Sequence, residues 1–263
     1  MPTLERINVT PVKGMALHHP DRVEITSAGI PGDRRFYLVG ASGKMVSGST
    51  FGSLVRIVAD HDPQTEELSM RFPDGTVVAG RADHLGEAEV TDFFRRPVAA
   101  HAVDGPWSEA VSEYLGTAVR LLRTDHDGEA VDVLPLTVIS TASVRDLAER
   151  GHHDGSLDSR RFRINLELDG CGPYDEDSWD GETVGIGEVR LRIEGAIPRC
   201  LVTNQSPDTG TKDWNTLTQI AKYRPRIKGD GGLPFGMYGT VVQPGVAHLG
   251  DTVQVPSHAT SPD

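Results

Sequence analysis

Short apolar runs, each cut by a glycine, proline or aspartate, recur along this chain and limit it to short elements joined by tight turns. Glycine occurs 29 times and proline 17 times in 263 residues, and both punctuate regular structure. "RFYLVGASGKMVSG" (35–48) is an apolar run, a Gly40-Ala41-Ser42-Gly43 turn and a second run, the pattern of a β-hairpin. "LSMRFPDGTVVAG" (68–80) repeats it around Asp74-Gly75. "RINVTPVKG" (6–14) and "DRVEITSAGI" (21–30) alternate apolar and polar residues, the period of a half-buried strand. The first hundred residues therefore read as β, in a barrel or sandwich.

Helical spacing enters later. "PWSEAVSEYLG" (106–116) predicts a helix with Ser108 as N-cap and Gly116 as stop. "STASVRDLAERG" (140–151) predicts a second, capped by Ser140 or Thr141 and ended by Gly151. "DWNTLTQIAKYRP" (213–225) predicts a third, with Trp214, Leu217 and Ile220 on one face and Pro225 at its end. Strands are expected between them: "LPLTVIS", "RFRINLEL", "VRLRIEG", "RCLVTNQ" and the closing "GTVVQPGVAHLGDTVQV". The expected fold is mainly β with peripheral helices (α+β). The change from β to mixed α and β divides the chain into expected domains at 1–108 and 109–256, with a flexible tail at 257–263; the family resemblance given below implies that the first, smaller part is a β-barrel domain.

Composition narrows the function. The net charge of −12 argues against general nucleic-acid binding, since an acidic surface repels a phosphate backbone. No apolar run reaches membrane-spanning length, and "MPTLERINVTPVKG" lacks the layout of a signal peptide, so a cytoplasmic protein is expected. The two cysteines, Cys171 and Cys200, form no CxxC and no set of four, which argues against an iron–sulfur cluster or a Cys-rich zinc site. Free thiols fit a reducing compartment.

An acidic protein must place its cations deliberately. Lys13, Arg34, Arg35, Arg160, Arg161, Arg163 and Arg199 would form an anion pocket if they converged; otherwise several are solvated strand-face charges. Cys200 adjoins Arg199, which favours a thiolate. From the residues alone, Cys200 is a packed hydrophobe, a nucleophile, half of a disulfide or a metal ligand. The acid-rich "DGCGPYDEDSWDGETVGIG" (169–187) does not fit a calcium loop and reads as a turn anchored by Trp179. "GHHDG" (151–155) reads as a surface loop, and "GDGGLPFG" (229–236) lacks the context of a dinucleotide fingerprint.

In order, "PVKG", "GIPGDRRFYLV", "RFRINLEL", "DEDSWDG", "IPRCLVTNQSPDTG" and "LPFGMYGTVVQPGVAHLGDTV" resemble a MOSC-domain protein with its N-terminal β-barrel domain, over roughly residues 4–256. Within the family the chain resembles the mitochondrial amidoxime-reducing components and the bacterial YcbX-type proteins. The resemblance implies a molybdenum cofactor, with molybdenum held by a pterin dithiolene. It implies Cys200 as catalytic residue and metal ligand. It assigns the pterin phosphate and its surroundings to Lys13, Arg35, Arg163, Asn165 and Arg199. The chemistry implied is reduction of N-hydroxylated small molecules, with electrons from a separate flavin, haem or iron–sulfur protein. Two departures stand out: Ile164 where the family often has proline, and "GSTFG" (48–52) where reductases often carry a basic stretch. No ferredoxin domain is expected, and Cys171 is expected to be a buried strand-end thiol. The alternatives are molybdenum-free sulfur transfer or thiol-nucleophile chemistry at Cys200, with Cys200 as a sulfur carrier, and a non-catalytic carrier of the cofactor.

Overall fold

In the computed structural model, which describes residues 1–94, 96–228 and 231–256, the short apolar runs become strands. The expected tail at 257–263 lies outside the described residues. Along the chain come β1 (Thr3–Ile7), β2 (Arg22–Ile25), β3 (Phe36–Gly40), β4 (Met45–Val46), β5 (Val58–Asp62), β6 (Glu67–Arg71), β7 (Val77–Arg81), β8 (Leu85–Phe93) and β9 (Arg96–Val103). Helix α1 (Trp107–Leu115) and β10 (Val119–Arg123) follow. Then come β11 (Leu136–Ser140), α2 (Thr141–Arg150), β12 (Leu166–Asp169), β13 (Thr183–Ile186), β14 (Val189–Arg199), α3 (Thr216–Ala221), β15 (Leu233–Gln243), β16 (Gly245–His248) and β17 (Val253–Gln254). The fold is mainly β with few helices, as expected.

The N-terminal body joins a five-stranded sheet, ordered β4-β3-β10-β9-β8, to a three-stranded sheet, β5-β6-β7. Strand β3 is buried on both faces, so its apolar run is continuous rather than alternating. Phe36 and Leu38 enter the core with Trp107 and Leu121. Tyr37 and Val39 enter a second cluster with Phe93, Leu122 and Ala130. The Asp74-Gly75 turn is present, with Gly75 at φ 91°.

The C-terminal body is a seven-stranded sheet ordered β1-β12-β11-β15-β14-β13-β17. Leu136 and Val138 of β11 face one core with Trp179 and Leu191. Ile139 faces the other way, where Leu147 of α2 and Ile220 of α3 pack on Phe235.

Several expectations are corrected. Strand β1 lies in the C-terminal body, antiparallel to β12 with Leu4 opposite Leu168, while β10 pairs with β3. The sheets thus draw strands from both sides of residue 108. Only long-range register, absent from any local pattern, decides which sheet an edge strand joins. The N-cap of α1 is Pro106, and Ser108 instead accepts a hydrogen bond from the Leu121 amide. Helix α3 covers only Thr216–Ala221, because the Asp213 and Trp214 amides donate to the Asn204 carbonyl. "RCLVTNQ" is not a strand. Strand β14 ends at Arg199, and Leu201–Asn204 form a 3₁₀ turn in which both the Thr203 amide and hydroxyl donate to the Cys200 carbonyl. In "RFRINLEL" only the last three residues enter β12; Ser159–Phe162 form a 3₁₀ turn capped by Asp158.

Candidate functional site

Cys200 follows the last residue of β14. Arg199 turns inward: Nε donates to the Phe235 carbonyl at 2.6 Å and Nη1 to that of Phe162 at 3.0 Å. Its guanidinium lies 5.6 Å from the Phe162 ring centroid, and its buried Nη2 has no hydrogen-bond partner. Burial pushes this guanidinium down to about 10, still charged at neutral pH. The next residue is exposed, so Cys200 presents a free thiol beside that cation. Gly236, at φ 76°, keeps the space open: a Cβ there would sit 3.1 Å from Arg199 Nη2.

A second group of cations gathers where the two bodies meet. The Lys13 amide donates to the Phe36 carbonyl, which ties Lys13 to β3. Its Nζ lies 2.7 Å from Asp132 Oδ1 and 5.1 Å from the Phe93 ring centroid. Burial lowers the Lys13 pKa; Asp132 opposes this, and Arg34 and Arg163 add to it. Arg34 pairs with Asp33, and its Nη2 donates to the Arg163 carbonyl at 2.8 Å. Arg163 Nη2 donates to the Met15 carbonyl at 2.8 Å. Burial, and next Arg34, push Arg163 down to about 10. Arg34 and Arg163 both sit in the left-handed region, at φ 54° and 53°, which turns their side chains toward this junction at a conformational cost.

Asn165 is buried and locks the network. Its Nδ2 donates to the Asn8 carbonyl and to Asp33 Oδ2, at 3.2 and 3.0 Å, and its Oδ1 accepts from Thr137 at 2.9 Å. Asn165 thus fixes Asp33, and Asp33 fixes Arg34. The Asp132 side chain, in contrast, is 57% exposed. Desolvation pushes its pKa up, but Lys13, Arg34 and Arg163 outweigh that and hold it below the usual carboxylate range.

Of the residues expected at the site, the structure brings Lys13 and Arg163 into one electrostatic cluster, links Asn165 to it through Asp33, and sets Arg199 beside Cys200. It sends Arg35 elsewhere: Nη1 donates to Asp127 and Nη2 to the Asp125 carbonyl. Arg34, one of the cations singled out in the sequence, lies beside Arg163 in that cluster, whereas Asp132 was not foreseen. The preceding Asp33, a ready partner for Arg34, was the one local hint.

The stretch "GSTFG" interlocks the two bodies. A Cβ on Gly52 would lie 2.0 Å from the Gly210 carbonyl oxygen, and one on Gly210, at φ 71°, 1.9 Å from that of Gly52. Gln205 Nε2 donates to the Gly48 carbonyl. Beside this crossing runs a cleft of about 110 Å³, with Ala16, Leu17 and Val55 on one wall and Arg163, Val202 and Gln205 on the other.

The acid-rich loop has other work. Trp179 is buried in the core, Asp175 accepts from the Gly172 amide, and Asp177 pairs with Arg224. Among the described residues no three His, Cys, Asp or Glu side chains cluster to hold a metal. Nor is any helix of the described residues long and apolar enough to cross a membrane.

Comparison with known proteins places these features in context. The family model for the MOSC domain matches residues 125–254, and that for the MOSC N-terminal beta barrel domain matches residues 1–118. Mitochondrial amidoxime-reducing component 1 of Mus musculus is 37% identical over 139 residues, 51% of this chain and 40% of that protein. Its Homo sapiens counterpart is 34% identical over 129 residues, 46% of this chain and 37% of that one. Molybdenum cofactor sulfurase of Drosophila willistoni is 25% identical over 253 residues, 90% of this chain but 31% of that protein. Each match thus spans less than half the length of the relative. Among solved structures, the YUAD protein from Bacillus subtilis covers 96% of this chain and 94% of its own, at 13% identity and a TM-score of 0.45.

Proposed function

The chain is a MOSC-domain protein with a MOSC N-terminal β-barrel domain, and from that premise we propose that it holds a molybdenum cofactor and reduces N-hydroxylated small molecules. The observation that carries this reading is the pairing of an exposed thiol with a surplus of buried cations. Cys200 stands free beside Arg199, whose buried Nη2 is unpartnered. Lys13, Arg34 and Arg163 share only Asp33 and Asp132 as carboxylate partners within their cluster. A ligand with a phosphate tail and a soft metal fits both features.

Cys200 would bind the metal. No other cluster of protein ligands lies among the described residues, so the metal must bring the rest of its coordination with its pterin. Lys13, Arg34 and Arg163 would bind the phosphate, with Asn165 holding Arg34 in place through Asp33. Arg199 would offer Nη2 to the cofactor and favour the thiolate of Cys200. Arg35 would keep the 125–127 segment against Gly32, whose amide donates to Asp127. When bound, the cofactor would supply two-electron, oxygen-atom chemistry. Electrons would come from a separate flavin, haem or iron–sulfur protein.

A second reading draws on the sulfurase relative, which matches 90% of this chain. In it the exposed Cys200 carries sulfur without molybdenum, and the cations bind an anionic small molecule. Turnover separates the two. Protein from a host that makes the cofactor, given a chemical electron donor and an aromatic amidoxime, should form the amidine. Failure of the molybdenum-loaded protein to reduce any N-hydroxylated compound would remove the reductase reading.

A further inference from the structure

The connector between β10 and β11 runs directly against Lys13, Arg35 and Arg96. It is acidic, "TDHDGEAVDVLP" (124–135), and without helix or strand. Three cations pin it. Arg35 bonds to Asp127 and to the Asp125 carbonyl. Arg96 Nη2 donates to the carbonyls of Glu129 and Val131, both at 2.8 Å. Lys13 Nζ reaches the Ala130 carbonyl at 3.4 Å. Ala130 is itself buried in the cluster with Phe93. The backbone up to Val131 is therefore anchored on both sides of the chain.

Asp132 differs from the rest of the connector. Its side chain is 57% exposed, yet Oδ1 lies 2.7 Å from a lysine whose own side chain is only 11% exposed. Val133 beside it is exposed as well. The carboxylate can thus leave Lys13 by rotating its own side chain into solvent, with no change in the anchored backbone. Lys13 has nowhere comparable to go, packed as it is over the Phe93 ring.

Resting on the reading of this cluster as an anion site, we propose that Asp132 is an internal stand-in for the ligand's phosphate: it neutralises Lys13 in the empty protein and swings out when the phosphate arrives. The buried cation needs a counter-charge at all times, because an unpaired charge in a partly buried site is costly. A tethered carboxylate supplies it, and an incoming phosphate, with more charge and more acceptor oxygens, replaces it. Asp132 then sets the affinity of the site by competing with the ligand for one lysine.

The test uses the full chain, made in a host without the pterin cofactor, and inorganic phosphate as probe, followed by ³¹P NMR titration at low salt. Asp132→Asn removes the competing charge with little change of shape. Phosphate should bind this variant more tightly than the parent, by up to about fivefold, the upper end measured for ion pairs with an exposed partner. Lys13→Gln should remove phosphate binding in either background. Asp127→Asn, which weakens the contacts to Arg35 and the Gly32 amide but not to Lys13, should leave the affinity unchanged. If the parent binds phosphate through Lys13 but Asp132→Asn binds it equally or more weakly, the stand-in is wrong while the anion site survives. If neither protein binds phosphate, or Lys13→Gln binds it normally, both the stand-in and the anion site fall.

Discussion

The two cysteines report two opposite environments built on one sheet. Cys171 follows β12 and is half-buried against the core that contains Trp179. Burial, with Glu176, Asp175 and Asp169 nearby, pushes its thiol up to about 12. Cys200 follows β14, is exposed, and has Arg199 as its neighbour. The same side chain is held protonated in a half-buried acidic corner and left accessible beside a cation. The sign of the charge around each is already local in sequence; the fold adds the difference in burial.

Chemistry can sharpen this contrast most strongly. In the folded protein at pH 8, iodoacetamide should modify Cys200 and leave Cys171 almost untouched. A thiol held near 12 carries roughly a thousandth of the thiolate of a free cysteine. Peptide mass spectrometry reads the two sites, and equal labelling would erase the distinction. Function should divide the same way. Cys200→Ala should cut amidoxime reduction by about 100-fold or more, a loss on the scale of removing a metal ligand, while Cys171→Ala should stay within about twofold.

The acidic corner has its own pH signature. Glu176 is 1% exposed, accepts from Ser143 and Ser140, and has an unpartnered Oε2. Burial raises it from 4.5 to about 7. A carboxyl raised in the folded state favours folding most below 4.5, and that contribution is lost as pH climbs through 7. Wild-type stability should therefore fall over this window relative to Glu176→Gln, by at most ~3 kcal/mol. Urea unfolding at several pH values measures the difference, and parallel curves would refute it. On the basic side, Gly52→Ala should cost about 1–3 kcal/mol, because its Cβ meets the Gly210 carbonyl head-on. An unchanged melting temperature would show that the two bodies are not locked there.

What the sequence disclosed, and what it hid, follows from range. The hairpin turns, the Ser140 cap of α2 and the Gly116 stop of α1 depend on neighbours a few residues apart, and local pattern found them. The pairing of β1 with β12 joins residues about 160 positions apart, and nothing near Leu4 announces Leu168. Resemblance named Lys13, Arg35, Arg163, Asn165, Arg199 and Cys200 as candidates; which of the two adjacent arginines reaches the Arg163 carbonyl is set by the fold. That choice depends on the left-handed backbone of Arg34 and the carboxylate of Asp33. "GSTFG" lacks the basic residue often found there, and its Gly52 lets two backbones touch, which no local pattern foretold.

The central claim is that Cys200 and the cations gathered around Lys13 and Arg163 hold a molybdenum cofactor. The direct measurement is molybdenum by elemental mass spectrometry and oxidised pterin by fluorescence, on parent and Cys200→Ala proteins from a host that makes the cofactor. The parent should carry close to one molybdenum and one pterin per chain, and the variant should lose the metal. A folded parent with neither, or a variant that keeps its full molybdenum, would contradict the account.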